Sequence, residues 1–226
     1  MKKPLILITG GPAYDPYLHK ESRMLNKTYT TAITAAGGIP VMDLDNDSMY
    51  DYIELADGCI FTGTHAFSPD SSYDLTPLQG ERIEREHKMM RAFAEAGKPM
   101  LGICQGMQQI NCAFGGDLQG YFKVEDGVEH YLTSHKIKTV PETFINRIFG
   151  DDFYVNSIHN VKVKTLADCF KVSALSPDGV IEAYEHKTLP IYCFQWHPER
   201  MRGDFPDMPY GPDTDVLFDT FIEMCK

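Results

Sequence analysis

Two short stretches hold residue types able to do covalent chemistry. Gly102-Ile103-Cys104-Gln105-Gly106 sets a cysteine between an apolar, strand-like run and a helical run, the context of a nucleophile elbow. Glycines two positions before and after the cysteine let strand and helix approach closely, and the sharp turn between them lifts the side chain above the sheet. The N-terminus of the helix then faces the sulfur, where its partial positive charge favours thiolate over thiol. His197-Pro198-Glu199 closes a second apolar run, Ile191 to Trp196. His197 could take a thiol proton and return it to a leaving amine, while Glu199 holds the imidazole in one tautomer and Pro198 stiffens the backbone between them.

Each motif alone has a plainer reading. Cys104 could be a small buried residue at a tight turn, and His197 a hydrogen-bonded histidine at a strand end with Glu199 a surface charge. A metal fragment is a third reading of H-x-E, but no P-C-x-x-C follows it and H-E-x-x-H is absent. No metal and no cofactor are expected, since the Gly10-Gly11 pair is not the G-x-G-x-x-G of a dinucleotide site either. Both motifs follow apolar runs directly, and in open α/β sheets sites gather beyond the carboxyl ends of strands.

The elements that must position these residues alternate in type. Apolar runs at Leu5 to Ile8, Ile39 to Met42, Cys59 to Thr62 and Met100 to Ile103 read as buried strands. Helical spacing spans Glu21 to Ala36, Ser48 to Leu55, Glu81 to Ala96, Met107 to Phe114 and Thr214 to Met224, with Gly-Gly stops after the first and fourth. A long polar loop from Gly63 to about Pro77 is a candidate site wall. From Tyr131 to Ile191 the texture becomes polar–apolar alternation, which predicts antiparallel, half-exposed strands. The expected fold is α/β, a mostly parallel sheet covered on both faces with a small antiparallel addition, in a single domain over residues 1–226.

Bulk properties exclude several classes. A formal charge of -11 with 21 scattered Lys and Arg in 226 residues argues against binding a nucleic-acid backbone. The apolar start ends at Thr9, too soon for a signal peptide, and no other run is long enough to span a bilayer. Six cysteines without a C-x-x-C pair suit reduced thiols, so a cytoplasmic location with no membrane partner is expected.

The run Pro99-Met100-Leu101-Gly102-Ile103-Cys104-Gln105-Gly106-Met107-Gln108-Gln109-Ile110-Asn111, with Gly115-Gly116-Asp117-Leu118-Gln119, resembles class I glutamine amidotransferases, and looks most like their γ-glutamyl-γ-aminobutyrate hydrolase branch. Val155-Asn156-Ser157-Ile158-His159, Pro177 to Ala183 and Phe194 to Glu199 fit the same branch. The resemblance implies a flavodoxin-like three-layer α/β/α sandwich, a Cys104-His197-Glu199 triad, and cleavage of a γ-glutamyl amide through a thioester. It further implies an oxyanion hole from the backbone of Gln105 and of the Gly63-Thr64 loop. Gln108, Asn156, Ser157 and His159 would hold the glutamyl end of a small-molecule substrate. Departures are Gly63-Thr64 where the family carries Gly-Gly, and Asn160 where a second histidine is common. His135 matches a family histidine position, whereas His19, His65, His87, His130 and His186 read as surface or packing residues.

Three functional readings follow. The first is a stand-alone γ-glutamyl hydrolase, a homodimer being compatible with it. The second is a glutaminase subunit feeding ammonia to a separate synthetase, and the third a catalytically inactive binding or regulatory homologue.

Overall fold

A computed structural model describes residues 2–15, 17–43, 48–63, 76–120, 124–125, 127–203 and 211–226. Thr64, His65 and most of the polar loop expected to wall the site lie outside the described residues.

A nine-stranded sheet runs in the order Asp152–Ser157, Thr133–Thr139, Phe170–Leu175, Ile181–His186, Ile191–Phe194, Met100–Ile103, Gly58–Phe61, Leu5–Ile8 and Ile39–Met42. The last five are mutually parallel, and the first four add on antiparallel to Ile191–Phe194 and to one another. Apolar residues on the parallel strands point alternately to two faces. Ile6, Ile8, Leu101, Ile103 and Phe194 pack against Tyr29, Ile33, Phe218, Phe221 and Ile222 of helices Lys27–Ala35 and Asp215–Met224. Leu7, Cys59, Phe61, Met100 and Cys193 face Met89, Met90, Phe93, Met107 and Ile110 of helices Thr76–Glu95 and Gln105–Ala113. The four inner parallel strands are buried on both sides, which is why they read as unbroken apolar runs; the edge strand Ile39–Met42, expected to be buried as well, is only half-buried, with Ile39 45% exposed. The result is the three-layer, flavodoxin-like arrangement expected.

The N-terminal reading needs correction. Gly11–Asp15 and Lys20–Met24 form an antiparallel ribbon, so Glu21 to Met24 is strand and not the first turn of the expected helix. The helix begins after Asn26, whose side chain accepts from Thr28 N at 3.0 Å, so a cap had divided the stripe of helical spacing. Helix Thr76–Glu95 also starts five residues ahead of the expected Glu81, and the six cysteines form no disulfide.

Candidate active site

Register brings the two motifs together. Met100–Ile103 pairs parallel with Ile191–Phe194, Ile103 beside Phe194, so both chains leave the sheet at neighbouring points. Cys104 N then donates to Phe194 O at 2.8 Å and pins the turn to the histidine strand.

Cys104 sits at φ 53, ψ -108, a conformation that costs a side chain-bearing residue about 1–3 kcal/mol. The surroundings compel it. A Cβ on Gly106 would lie 2.0 Å from Phe61 O, and one on Gly102 would lie 2.7 Å from Ile110 Cδ1 and 3.0 Å from Met107 Cα. Both glycines therefore let the helix Gln105–Ala113 lie directly on the sheet, and the strain at Cys104 presents the sulfur at its N-terminus. The residue is only 8% exposed.

His197 meets it from the other strand. A Cβ on Gly63 would stand 2.8 Å from His197 Cε1 and 3.4 Å from Cys104 Cβ, so the missing side chain clears the space where the two residues face each other. His197 Nδ1 donates to Glu199 Oε1 at 2.8 Å, which turns the other ring nitrogen toward the sulfur. Burial alone would depress the imidazole pKa, but the negative charges of Glu199 and Cys104 outweigh it and raise it to about 10. Glu199 is buried too, and the His197 cation nonetheless holds its carboxyl below the ordinary value.

The backbone around the histidine is clamped. Asn156 Nδ2 donates to His197 O at 2.9 Å and His197 N donates to Asn156 Oδ1 at 2.7 Å. Thr214 Oγ1 donates to Pro198 O at 2.6 Å and to Met201 O at 3.0 Å, fixing the 3-10 turn that carries Glu199.

Other expected site residues are engaged differently. Gly63 N donates to Tyr29 Oη at 3.1 Å, so its amide is already occupied and the residue's contribution here is clearance. Gln105 N lies in the first helical turn, where no acceptor within the helix is available to it. Gln108 is buried, its Nε2 donating to Val161 O at 3.0 Å and Gln195 Oε1 at 3.2 Å. Ser157 Oγ donates to His130 O at 3.0 Å, and His159 packs among His130, His135 and Glu182 rather than beside Cys104.

Sequence reasoning missed three supports. Tyr29 holds Gly63 through its hydroxyl, and Arg82 donates to Gly63 O at 3.3 Å and Thr62 O at 3.2 Å while paired with Glu86 at 2.7 Å. Arg82 also lines a cavity of about 480 Å³ with Gly10 and Arg23. The third is His130, read as a surface or packing residue but fully buried against charged groups. Arg82 and Glu86 are four apart on a helix, a spacing that ordinarily marks an exposed pair, so nothing local signalled burial.

Comparison with known proteins agrees with this architecture. Protein NtpR of Enterococcus hirae is 28% identical over 97% of this chain and 98% of its own. A γ-glutamyl-γ-aminobutyrate hydrolase of Escherichia coli O157:H7 is 25% identical over 91% of this chain and 87% of its own. The crystal structure of a glutamine amidotransferase from Thermotoga maritima superposes with a TM-score of 0.64 at 12% identity, covering 88% of this chain and 77% of that one. A Thermoplasma acidophilum protein, provisionally assigned to GMP synthase, superposes with a TM-score of 0.71 at 20% identity, covering 100% of this chain and 95% of that one. Residues 4–199 match the peptidase C26 family, a span that includes Cys104, His197 and Glu199. With fold, elbow and sequence in agreement, the chain belongs to the peptidase C26 family of class I glutamine amidotransferase-like proteins.

Proposed function

We propose that this chain acts as one hydrolase domain that cleaves γ-glutamyl amides, with Cys104 as nucleophile, His197 as proton shuttle and Glu199 as the residue orienting it. The observation that carries the reading is Cys104 itself: a strained cysteine at a helix N-terminus, facing an imidazole whose far nitrogen is held by a buried carboxylate. The thiolate attacks the amide carbon, and the C=O electron pair moves onto oxygen. Gln105 N–H stabilises that oxyanion, with Thr64 N–H as the second donor expected. His197 gives its proton to the leaving nitrogen as the C–N bond breaks, which leaves a glutamyl thioester. Water, losing a proton to His197, then cleaves the thioester and releases glutamate.

Asn156 acts through His197 in this scheme as a positioning residue. The glutamyl substrate class is supported by the similarity to the γ-glutamyl-γ-aminobutyrate hydrolase. Incubation with γ-glutamyl-γ-aminobutyrate and, separately, with glutamine tests it. Glutamate release that disappears in Cys104→Ala is the expected result, and folded wild-type protein that releases none from either compound contradicts it. Release only when a synthetase is added would assign the chain as a glutaminase component of a larger enzyme instead.

A further inference from the structure

The antiparallel end of the sheet gathers a second cluster of chemistry-bearing side chains. His130 precedes strand Thr133–Thr139, His135 lies within it, His159 follows strand Asp152–Ser157, and Glu182 lies in Ile181–His186. His130 and Glu182 are 0% exposed, His159 4% and His135 8%. One donor atom from each converges on a common point, all four within 4.8 Å of one another. Glu182 Oε1 lies 3.3 Å from His130 Nδ1, 3.4 Å from His135 Nε2 and 3.5 Å from His159 Nε2.

The outer nitrogens decide what those inner atoms offer. His130 Nε2 donates to Asp178 Oδ2 at 2.9 Å, and His159 Nδ1 donates to Val161 O at 3.1 Å, a carbonyl that can only accept. His135 Nδ1 turns to Lys136 O at 3.5 Å. A neutral imidazole that donates outward presents a lone pair inward. His130 Nδ1 and His159 Nε2 thus face each other at 3.3 Å as two acceptors, beside a carboxylate oxygen. Neither Glu182 oxygen nor His135 Nε2 makes a hydrogen bond among the described residues. Such a group of acceptors repels itself in a dry interior unless a cation lies among them. A proton would link one pair of atoms, whereas a divalent cation can bond one donor atom from each of the four residues at once.

Spacing and chemistry select the cation. Zinc bonds nitrogen and oxygen at ~2.0–2.1 Å in a tetrahedron, which separates neighbouring donors by roughly 3.3–3.4 Å. Imidazole-rich donor sets with a single carboxylate suit zinc better than calcium or magnesium. Outward hydrogen bonds from the histidines to a carboxylate and to backbone carbonyls are the usual outer partners of zinc ligands. We propose that His130, His135, His159 and Glu182 form a zinc site. Four protein ligands and burial leave no open coordination position, so its role is structural. It joins three strands of the antiparallel half, and it reaches the candidate active site through Ser157, bonded to His130 O, and the neighbouring Asn156, which clamps His197.

The test uses the full chain carrying Cys104→Ser, so that zinc cannot be held by the Cys104 sulfur and His197. The protein is stripped with a chelator, confirmed folded by circular dichroism, and titrated with zinc chloride under equilibrium dialysis with elemental analysis. About one zinc ion per chain is expected, with a Tm that climbs with zinc concentration. Cobalt chloride should give the intense visible bands of a tetrahedral site, and these should vanish in the isosteric Glu182→Gln and in His135→Ala with His159→Ala. A folded Cys104→Ser chain with neither bound zinc nor tetrahedral cobalt bands overturns the proposal, whether or not the ligand variants fold. So does stoichiometric binding that survives in those variants. Because the readouts are metal content, spectrum and Tm, failure here leaves the hydrolase reading untouched, and absence of hydrolysis leaves this one untouched.

Discussion

Among single residues, Asn156 shows how position separates from chemistry. The family resemblance assigned it to substrate, yet both ends of its carboxamide bond the backbone of His197. Asn156→Ala removes both bonds from a buried site, so stability should fall by about 1–3 kcal/mol in denaturant titration. A base displaced by a fraction of an ångström should lower kcat on a γ-glutamyl amide about 10–100-fold while KM changes little, which steady-state kinetics would resolve. A fall confined to KM would return Asn156 to the substrate. The key site residues were legible because their types are rare and their neighbours diagnostic: a cysteine between spaced glycines, a histidine closing an apolar run. Tyr29 and Arg82 were not, since their importance lies in contacts with Gly63 made across 34 and 19 positions of chain.

Elements divide along the same line. The inner parallel strands, buried on both faces, announced themselves as apolar runs, and the helix ends at Gly37 and Gly115 as glycines, both at positive φ. The ribbon Gly11–Asp15 with Lys20–Met24 was hidden because Met24 and Leu25 continue the spacing of the helix that follows, and only antiparallel pairing with the preceding strand Gly11–Asp15 decides otherwise. The elbow offers a sharper test of element packing. Gly106→Ala would push a methyl to 2.0 Å from Phe61 O, a backbone atom that cannot step aside, and should cost at least about 3 kcal/mol or prevent folding. Gly80→Ala, exposed in the helix Thr76–Glu95 with nothing within 4 Å, should instead stabilise by up to about 1 kcal/mol. Thermal melts of the two variants moving in opposite directions would verify the close approach. Equal shifts would refute it.

Across the whole molecule, one sheet does two tasks. Its parallel half delivers Cys104 and His197 at adjacent strand ends, and its antiparallel half supports the histidine through Asn156. Sequence texture distinguished those halves but could not reveal that the second braces the first, because register is absent from composition. The buried charges also couple the site to global stability. His197 is raised from 6.5 to about 10, so the folded state binds its proton more tightly than the unfolded chain does. Its contribution is complete below about pH 6.5 and is lost as pH rises through about 10. Urea titrations should therefore show stability declining across that window. The decline should be shallower in Cys104→Ala, where one of the charges that raise the imidazole is gone.

The most direct measurement of the central claim is mass spectrometry of the protein after rapid mixing with γ-glutamyl-γ-aminobutyrate and acid quench, with the modified peptide located by fragmentation. A glutamyl group on Cys104, absent from Cys59, Cys112 and Cys193 and lost together with turnover in Cys104→Ala, is the predicted result. An adduct carried by another cysteine, or turnover undiminished in Cys104→Ala, would contradict the assignment of Cys104 as nucleophile.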